Sequence, residues 1–118
     1  MEKFYQKTHE WASFEKTVAT IGISAYAVKE LGDIVFVSLP EVGDTVKVGT
    51  PFAEVESVKA VSEIYSPVEG VIAEVNDELI DNPAAVNAAA GEAWFIKVDY
   101  TKIGALVSEA EYDAMEKE

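Results

Sequence analysis

The chain has 118 residues, 49% of them hydrophobic, which is enough for one domain with its own core and too little for two. It contains no cysteine, so disulfides and a thiol nucleophile are excluded and a reducing compartment fits. Twenty-two acidic against nine basic side chains leave a net charge of −13. Such a charge argues against nucleic acid and anionic membranes as partners, and serves solubility or encounter with basic protein surfaces.

In chain order, Met1-Glu2-Lys3-Phe4-Tyr5 lacks both the apolar core of a signal peptide and the Arg- and Ser-rich character of a transit peptide. No run reaches the roughly 20 apolar residues of a membrane span, so a cytoplasmic protein is expected, and a monomer is the simplest state. Residues 11–14 and 18–23 flank Glu15-Lys16-Thr17 and read as a hairpin. Ser24 can cap a helix over Ala25–Leu31, with Gly32 as its left-handed stop. Strands follow at 33–39, 45–48, 52–57, 60–65, 70–75 and 94–98, with turns at Pro40-Glu41-Val42-Gly43-Asp44 and Gly49-Thr50-Pro51. Asn82-Pro83 suggests a single helical turn over 83–86, with proline at the first helical position. Ser108-Glu109-Ala110-Glu111 is a capping box opening a terminal helix over 108–116. These elements predict one domain over 1–118: an all-β core over about 17–98, with small helical additions.

Gly32-Asp33-Ile34-Val35-Phe36-Val37 is echoed 38 residues later by Gly70-Val71-Ile72-Ala73-Glu74-Val75, and Val42 has Ile80 as its counterpart. Either this is chance or the chain contains two similar halves meeting near residue 59.

That midpoint is Lys59, within Val55-Glu56-Ser57-Val58-Lys59-Ala60-Val61-Ser62-Glu63. Val55, Val58, Val61 and Tyr65 could also line a helical face. The valines are weak helix formers and Pro51 and Pro67 bound the segment, which favours a hairpin with Lys59 at its tip. A lysine on a turn is ordinarily a solvating residue. Here Glu56 lies three residues before it and Glu63 four after, while Val58, Ala60 and Val61 are apolar. A lysine amine, with a pKa of about 10.4, is protonated near neutrality and is a poor nucleophile unaided. Acylation would therefore need a partner enzyme that binds the hairpin and supplies an activated acyl group. The acylated arm would be uncharged, apolar and tethered, which raises its effective concentration for each enzyme that docks.

Glu56-Ser57-Val58-Lys59-Ala60, with His9-Glu10-Trp11, Val18-Ala19-Thr20-Ile21-Gly22-Ile23, Leu31-Gly32-Asp33, Ser66-Pro67-Val68-Glu69-Gly70 and Glu74-Val75-Asn76, resembles the H-protein family of the glycine cleavage system. The resemblance runs from Tyr5 through Tyr112. It implies a flattened lipoyl/biotinyl-type barrel-sandwich of two pseudo-twofold-related halves, with an added amino-terminal hairpin and carboxy-terminal helix. It also implies lipoate in amide linkage on Lys59, and a non-catalytic carrier. Such a carrier takes an aminomethyl group from glycine decarboxylase (P protein) to the aminomethyltransferase (T protein), and dihydrolipoyl dehydrogenase (L protein) then reoxidises it.

The same resemblance implies a lipoate ligase or lipoyl/octanoyl transferase as loading enzyme, recognising Glu56, Glu63, Gly43 and Gly70. The two glycines would also serve turn geometry for its own sake. It assigns Glu10 and Glu63 to polar contact with the cationic cargo in a cleft, Glu10 being alternatively an exposed strand carboxylate. No catalytic residue and no metal site are implied: His9 is the sole histidine, without a cysteine or second histidine. Trp11 and Trp94 read as core or rim aromatics.

The chain departs from the family pattern at Glu30, where some relatives have histidine before Leu-Gly, and at the small, bland Asn87-Ala88-Ala89-Ala90-Gly91. Both change the expected polarity of the cleft and docking surfaces. Among other readings, a biotin carrier would have methionines where Val58 and Ala60 stand. A 2-oxo acid dehydrogenase module would bring a linker. An enzyme built on Glu54 and Glu56 has no pocket signature. A stand-alone relay, donating lipoate to other lipoyl domains, is the alternative that needs the same lysine.

Overall fold

A computed structural model describes residues 2–117; Met1 and Glu118, the ends of the expected 1–118 domain, lie outside the described residues. The strands are β1 (Phe4–Tyr5), β2 (Glu10–Glu15), β3 (Val18–Ile23), β4 (Ile34–Ser38), β5 (Thr45–Val46), β6 (Pro51–Ser57), β7 (Val61–Tyr65), β8 (Val68–Val75), β9 (Trp94–Ile103) and β10 (Val107–Ser108). The helices are α1 (Ala25–Leu31), α2 (Glu78–Asp81), α3 (Ala84–Ala89) and α4 (Glu109–Ala114). One sheet has the order β10-β1-β2-β3-β9-β8-β5 and the other β4-β6-β7, packed as a flattened sandwich measuring 35 × 34 × 23 Å. The architecture is the expected mostly-β sandwich with an amino-terminal hairpin and a carboxy-terminal helix.

Alternation places Ile21, Ile64, Ile72, Val37, Val55 and Val98 between the sheets, where each is essentially fully buried. Every such side chain contributes about 1.5–3 kcal/mol of hydrophobic stabilisation. The echoed strands fall one in each sheet: β4 pairs antiparallel with β6 as β8 pairs with β9. Val42 and Ile80 are both exposed, so the echo is carried by the strands rather than by the turns beyond them.

Ser24 caps α1 by accepting the N–H of Ala27, and Gly32 ends the helix at φ +77°, a conformation suited to glycine. Ser108 and Glu111 form the capping box of α4. The α3 region differs from expectation: Asn82 ends α2, Pro83 precedes the helix, and the helix runs through Ala89 rather than stopping at residue 86. Alanine is the strongest helix former, and the stretch read as a bland loop is largely the body of α3. Strands β1 and β10, two residues each, escape sequence periodicity but extend the larger sheet through β1 pairing with both β2 and β10. Among the described residues no helix is long and apolar enough to cross a membrane.

Candidate functional site: the Lys59 hairpin and the neighbouring cleft

Strands β6 and β7 form an antiparallel hairpin with Val58, Lys59 and Ala60 at its tip, all exposed. Ser57 shapes the turn. Its N–H donates to the Ala60 carbonyl at 2.8 Å, and its Oγ accepts the N–H groups of Lys59 at 3.3 Å and Ala60 at 3.1 Å. The hydroxyl thus substitutes for backbone partners that a short turn cannot supply. The Val58 N–H donates to the Asp33 carbonyl at 3.1 Å, anchoring the tip to the segment that leads into β4. The Lys59 stem runs over Gly32, where an added Cβ would stand 3.7 Å from Lys59 Cε.

Register organises what surrounds the tip. Phe36 pairs with Glu56, which pairs with Val61; one pleat further from the tip, Ser38 pairs with Glu54, which pairs with Glu63. Residues two apart on a strand share a face, so Glu54, Glu56 and Glu63 stand on one outer face of the smaller sheet. The ion pairs recorded among the described residues are Lys3–Glu92 and Lys97–Glu74, so none of those three carboxylates is neutralised in this way. Beside them lie the exposed apolar side chains of Val35, Phe36, Val58 and Val61.

An open cleft of about 620 Å³ borders β7, its walls including Thr8, His9, Glu63, Tyr65, Met115 and Lys117. Glu63 therefore belongs both to the hairpin face and to this cleft. Glu10 is not on the lining. It is 2% exposed, and both of its oxygens are engaged: Oε1 accepts from Gln6 Nε2 at 2.9 Å and from the Thr8 hydroxyl, and Oε2 accepts the Tyr65 N–H at 3.0 Å. Gln6 Nε2 also donates to the Tyr65 carbonyl at 3.1 Å. Burial pushes the Glu10 carboxyl above its usual range, and these donors pull it back. The alternative of Glu10 as an exposed strand carboxylate is thereby overturned; it joins the two walls of the cleft from behind.

His9 adopts φ +84° and places Nδ1 2.6 Å from the Tyr112 hydroxyl, which also lies 2.8 Å from Ser24 Oγ. Tyr112 stacks on Tyr5 with ring centroids 4.3 Å apart, and Lys117 Nζ sits 4.5 Å above the Tyr112 ring while donating to the Tyr112 carbonyl at 2.7 Å. These contacts fasten α4 and the residues after it against the cleft. Burial, followed by the nearby Lys117 charge, lowers the His9 pKa, with Glu30 acting in the opposite direction.

The two singled-out glycines lie outside the hairpin. Gly43 occupies the turn before β5 at φ +95° with nothing within 4 Å of an added Cβ, so its requirement is conformational. Gly70 lies within β8, where a Cβ would come 2.2 Å from the Asp99 carbonyl oxygen, so its requirement is close strand approach. Trp11 is buried and its indole N–H donates to the carbonyls of Ile23 and Gly91, both at 3.0 Å; Trp94 is partly exposed. Sequence reasoning missed Ser57 and Asn87 as organisers of the tip. The polar residue closing a short turn was the available signal for the first.

The family model described as Glycine cleavage H-protein matches residues 3–118. A glycine cleavage system H protein of Lachnoclostridium phytofermentans is 49% identical over 115 residues, covering 96% of this chain and 91% of that protein. One from Rubrobacter xylanophilus is 50% identical over 109 residues, covering 92% and 86%. The crystal structure of a glycine cleavage system H protein from Mycobacterium marinum superposes with a TM-score of 0.87 at 40% identity, covering 94% of this chain and 93% of that one.

Proposed function

The chain belongs to the glycine cleavage H-protein family, and on that footing we propose that Lys59 is its point of lipoate attachment. The protein is a carrier in glycine cleavage and not a catalyst, working with the other components of that system. The observation that carries the Lys59 assignment is the exposed amine at the end of a hairpin whose turn is fixed by Ser57 and by Asp33.

The residues fit such a group. The tip is ringed by apolar Val58, Val61 and Phe36, and the cleft beside β7 offers Glu63 together with the apolar Met115. Four residues separate Lys59 from Glu63, about 13 Å along an extended strand, a span open to an acylated lysine arm. Attached lipoate supplies a dithiolane able to receive the aminomethyl group from glycine decarboxylase, give it to the aminomethyltransferase and be reoxidised by dihydrolipoyl dehydrogenase. The chain's part is to hold and shield. Glu63 offers a carboxylate to a cationic amine entering the cleft. Glu10 acts indirectly, keeping the His9 and Tyr65 walls together. Glu56 and Glu63 present the charge that a lipoate ligase or lipoyl/octanoyl transferase meets, while Gly43 and Gly70 contribute through the shape of their turn and strand.

Relatives named for glycine cleavage favour this role over a stand-alone lipoate relay. The test is to incubate the full chain with lipoate, ATP and a purified lipoate ligase, locate the added mass by peptide mapping, and offer the product to glycine decarboxylase. A lipoyl increment confined to Lys59 and glycine-dependent turnover are expected. An unmodified Lys59, or a loaded protein the decarboxylase ignores, would overturn the proposal.

A further inference from the structure

Asn87 projects from α3 onto the segment between α1 and β4. Its Oδ1 accepts the Ile34 N–H and its Nδ2 donates to the Gly32 carbonyl, both at 2.8 Å. The two contacts flank Asp33, whose own carbonyl accepts the Val58 N–H at 3.1 Å. Gly32 also underlies the Lys59 stem, since a Cβ there would lie 3.7 Å from Cε.

Extended backbone directs successive carbonyls to opposite sides, so this segment can pair with Asn87 on one side and with the hairpin tip on the other. A carboxamide is the short side chain that supplies one donor and one acceptor together, matching a C=O and an N–H two residues apart. The clamp matters because Gly32 sits at φ +77° and ψ −154°, a hinge that helix α1 alone does not hold in place. We propose that Asn87 is a positioning residue for the loading site: it fixes Gly32–Ile34 by a two-point amide clamp, and through Asp33 fixes the turn that presents Lys59 to its modifying enzyme. The inference rests on Lys59 being the attachment point and extends that assignment to a residue on another element. Ligases approach a tip held in one geometry more productively than one sampling many, because pre-organisation lowers the cost of docking.

The test compares full-length wild type, Asn87→Asp, Asn87→Ala and Val86→Ala. Asp keeps the volume and the acceptor for Ile34 but turns an oxygen toward the Gly32 carbonyl; Ala removes both contacts. Val86, the buried neighbour on the same helix, serves as a control that lowers stability without touching the clamp. The readouts are kcat/KM for lipoate loading by purified ligase, 15N relaxation at Val58, Lys59 and Ala60, and Tm. Both Asn87 variants should load about tenfold more slowly, the scale set by losing a net hydrogen bond or two, and should show a more mobile tip. Val86→Ala should lower Tm while loading as wild type does. Wild-type loading and tip order in Asn87→Asp would overturn the inference. So would a Val86→Ala protein loading as slowly as the Asn87 variants, since the effect would then be general destabilisation. If wild type itself takes no lipoate on Lys59, the attachment assignment fails, while relaxation of the tip still reports on the clamp. Should Asn87→Ala not fold, Asn87→Asp carries the comparison.

Discussion

The Glu10 carboxylate accepts the backbone N–H of Tyr65 at 3.0 Å, tying the amino-terminal hairpin to the strand that descends from Lys59. Gln6 and Thr8 donate to the same buried group. Glu10→Ala would leave these donors facing a void, so a loss of about 3 kcal/mol is expected by urea denaturation. A loss below about 1 kcal/mol would show that the buried carboxylate does not join the two walls.

Lys59 is exposed, and its stem covers only a glycine. Lys59→Ala and Lys59→Arg should both fold within about 0.5 kcal/mol of wild type. Neither should accept lipoate. A large stability loss in either variant would make the lysine a structural residue instead.

Gly43 and Gly70 separate two reasons for a glycine. Gly43→Ala meets open space but an unfavourable φ, and should cost about 1 kcal/mol. Gly70→Ala drives a Cβ against the Asp99 carbonyl and should cost about 3 kcal/mol or more. Loading rates measured on folded Gly43→Ala then test ligase recognition directly; an unchanged rate would assign this glycine to turn geometry alone.

His9 favours its neutral form in the folded chain, because burial and Lys117 lower its pKa. The unfolded chain, with an ordinary imidazole, takes up its proton first as the pH falls. The associated stability is present above about 6.5 and is lost through the folded pKa on acidification. Asn tolerates the left-handed backbone at this position, so His9→Asn is a suitable comparison. The stability advantage of wild type over His9→Asn should shrink between about pH 7.5 and pH 5. A constant or widening gap would contradict the assigned direction.

The hairpin was legible because valines and prolines act locally, and α1 was legible because Ser24 and Gly32 mark its ends by their own chemistry. The capping box of α4 was readable for the same reason. Glu10 was not, since charged residues are rarely buried and its three donors come from side chains and backbone brought together by folding. Glu63 could be singled out, but that it shares a cleft with His9 and Met115 depends on where α4 docks. Asn87 resembled loop filler because its partners lie 53 and 55 residues away, beyond the reach of any periodic signal. Strand β9 continued to Ile103 beyond the expected end at residue 98 because pairing with β8 sustains a stretch that becomes exposed on one side.

Strand β7 is the outermost member of its sheet, with Glu63 directly across from Glu54. That repulsion weakens the native pairing slightly, yet it also discourages a second molecule from adding its own strand along the same border. A hairpin that must be offered uncovered to one enzyme after another is prone to self-association, and its acidity is the safeguard that keeps it available.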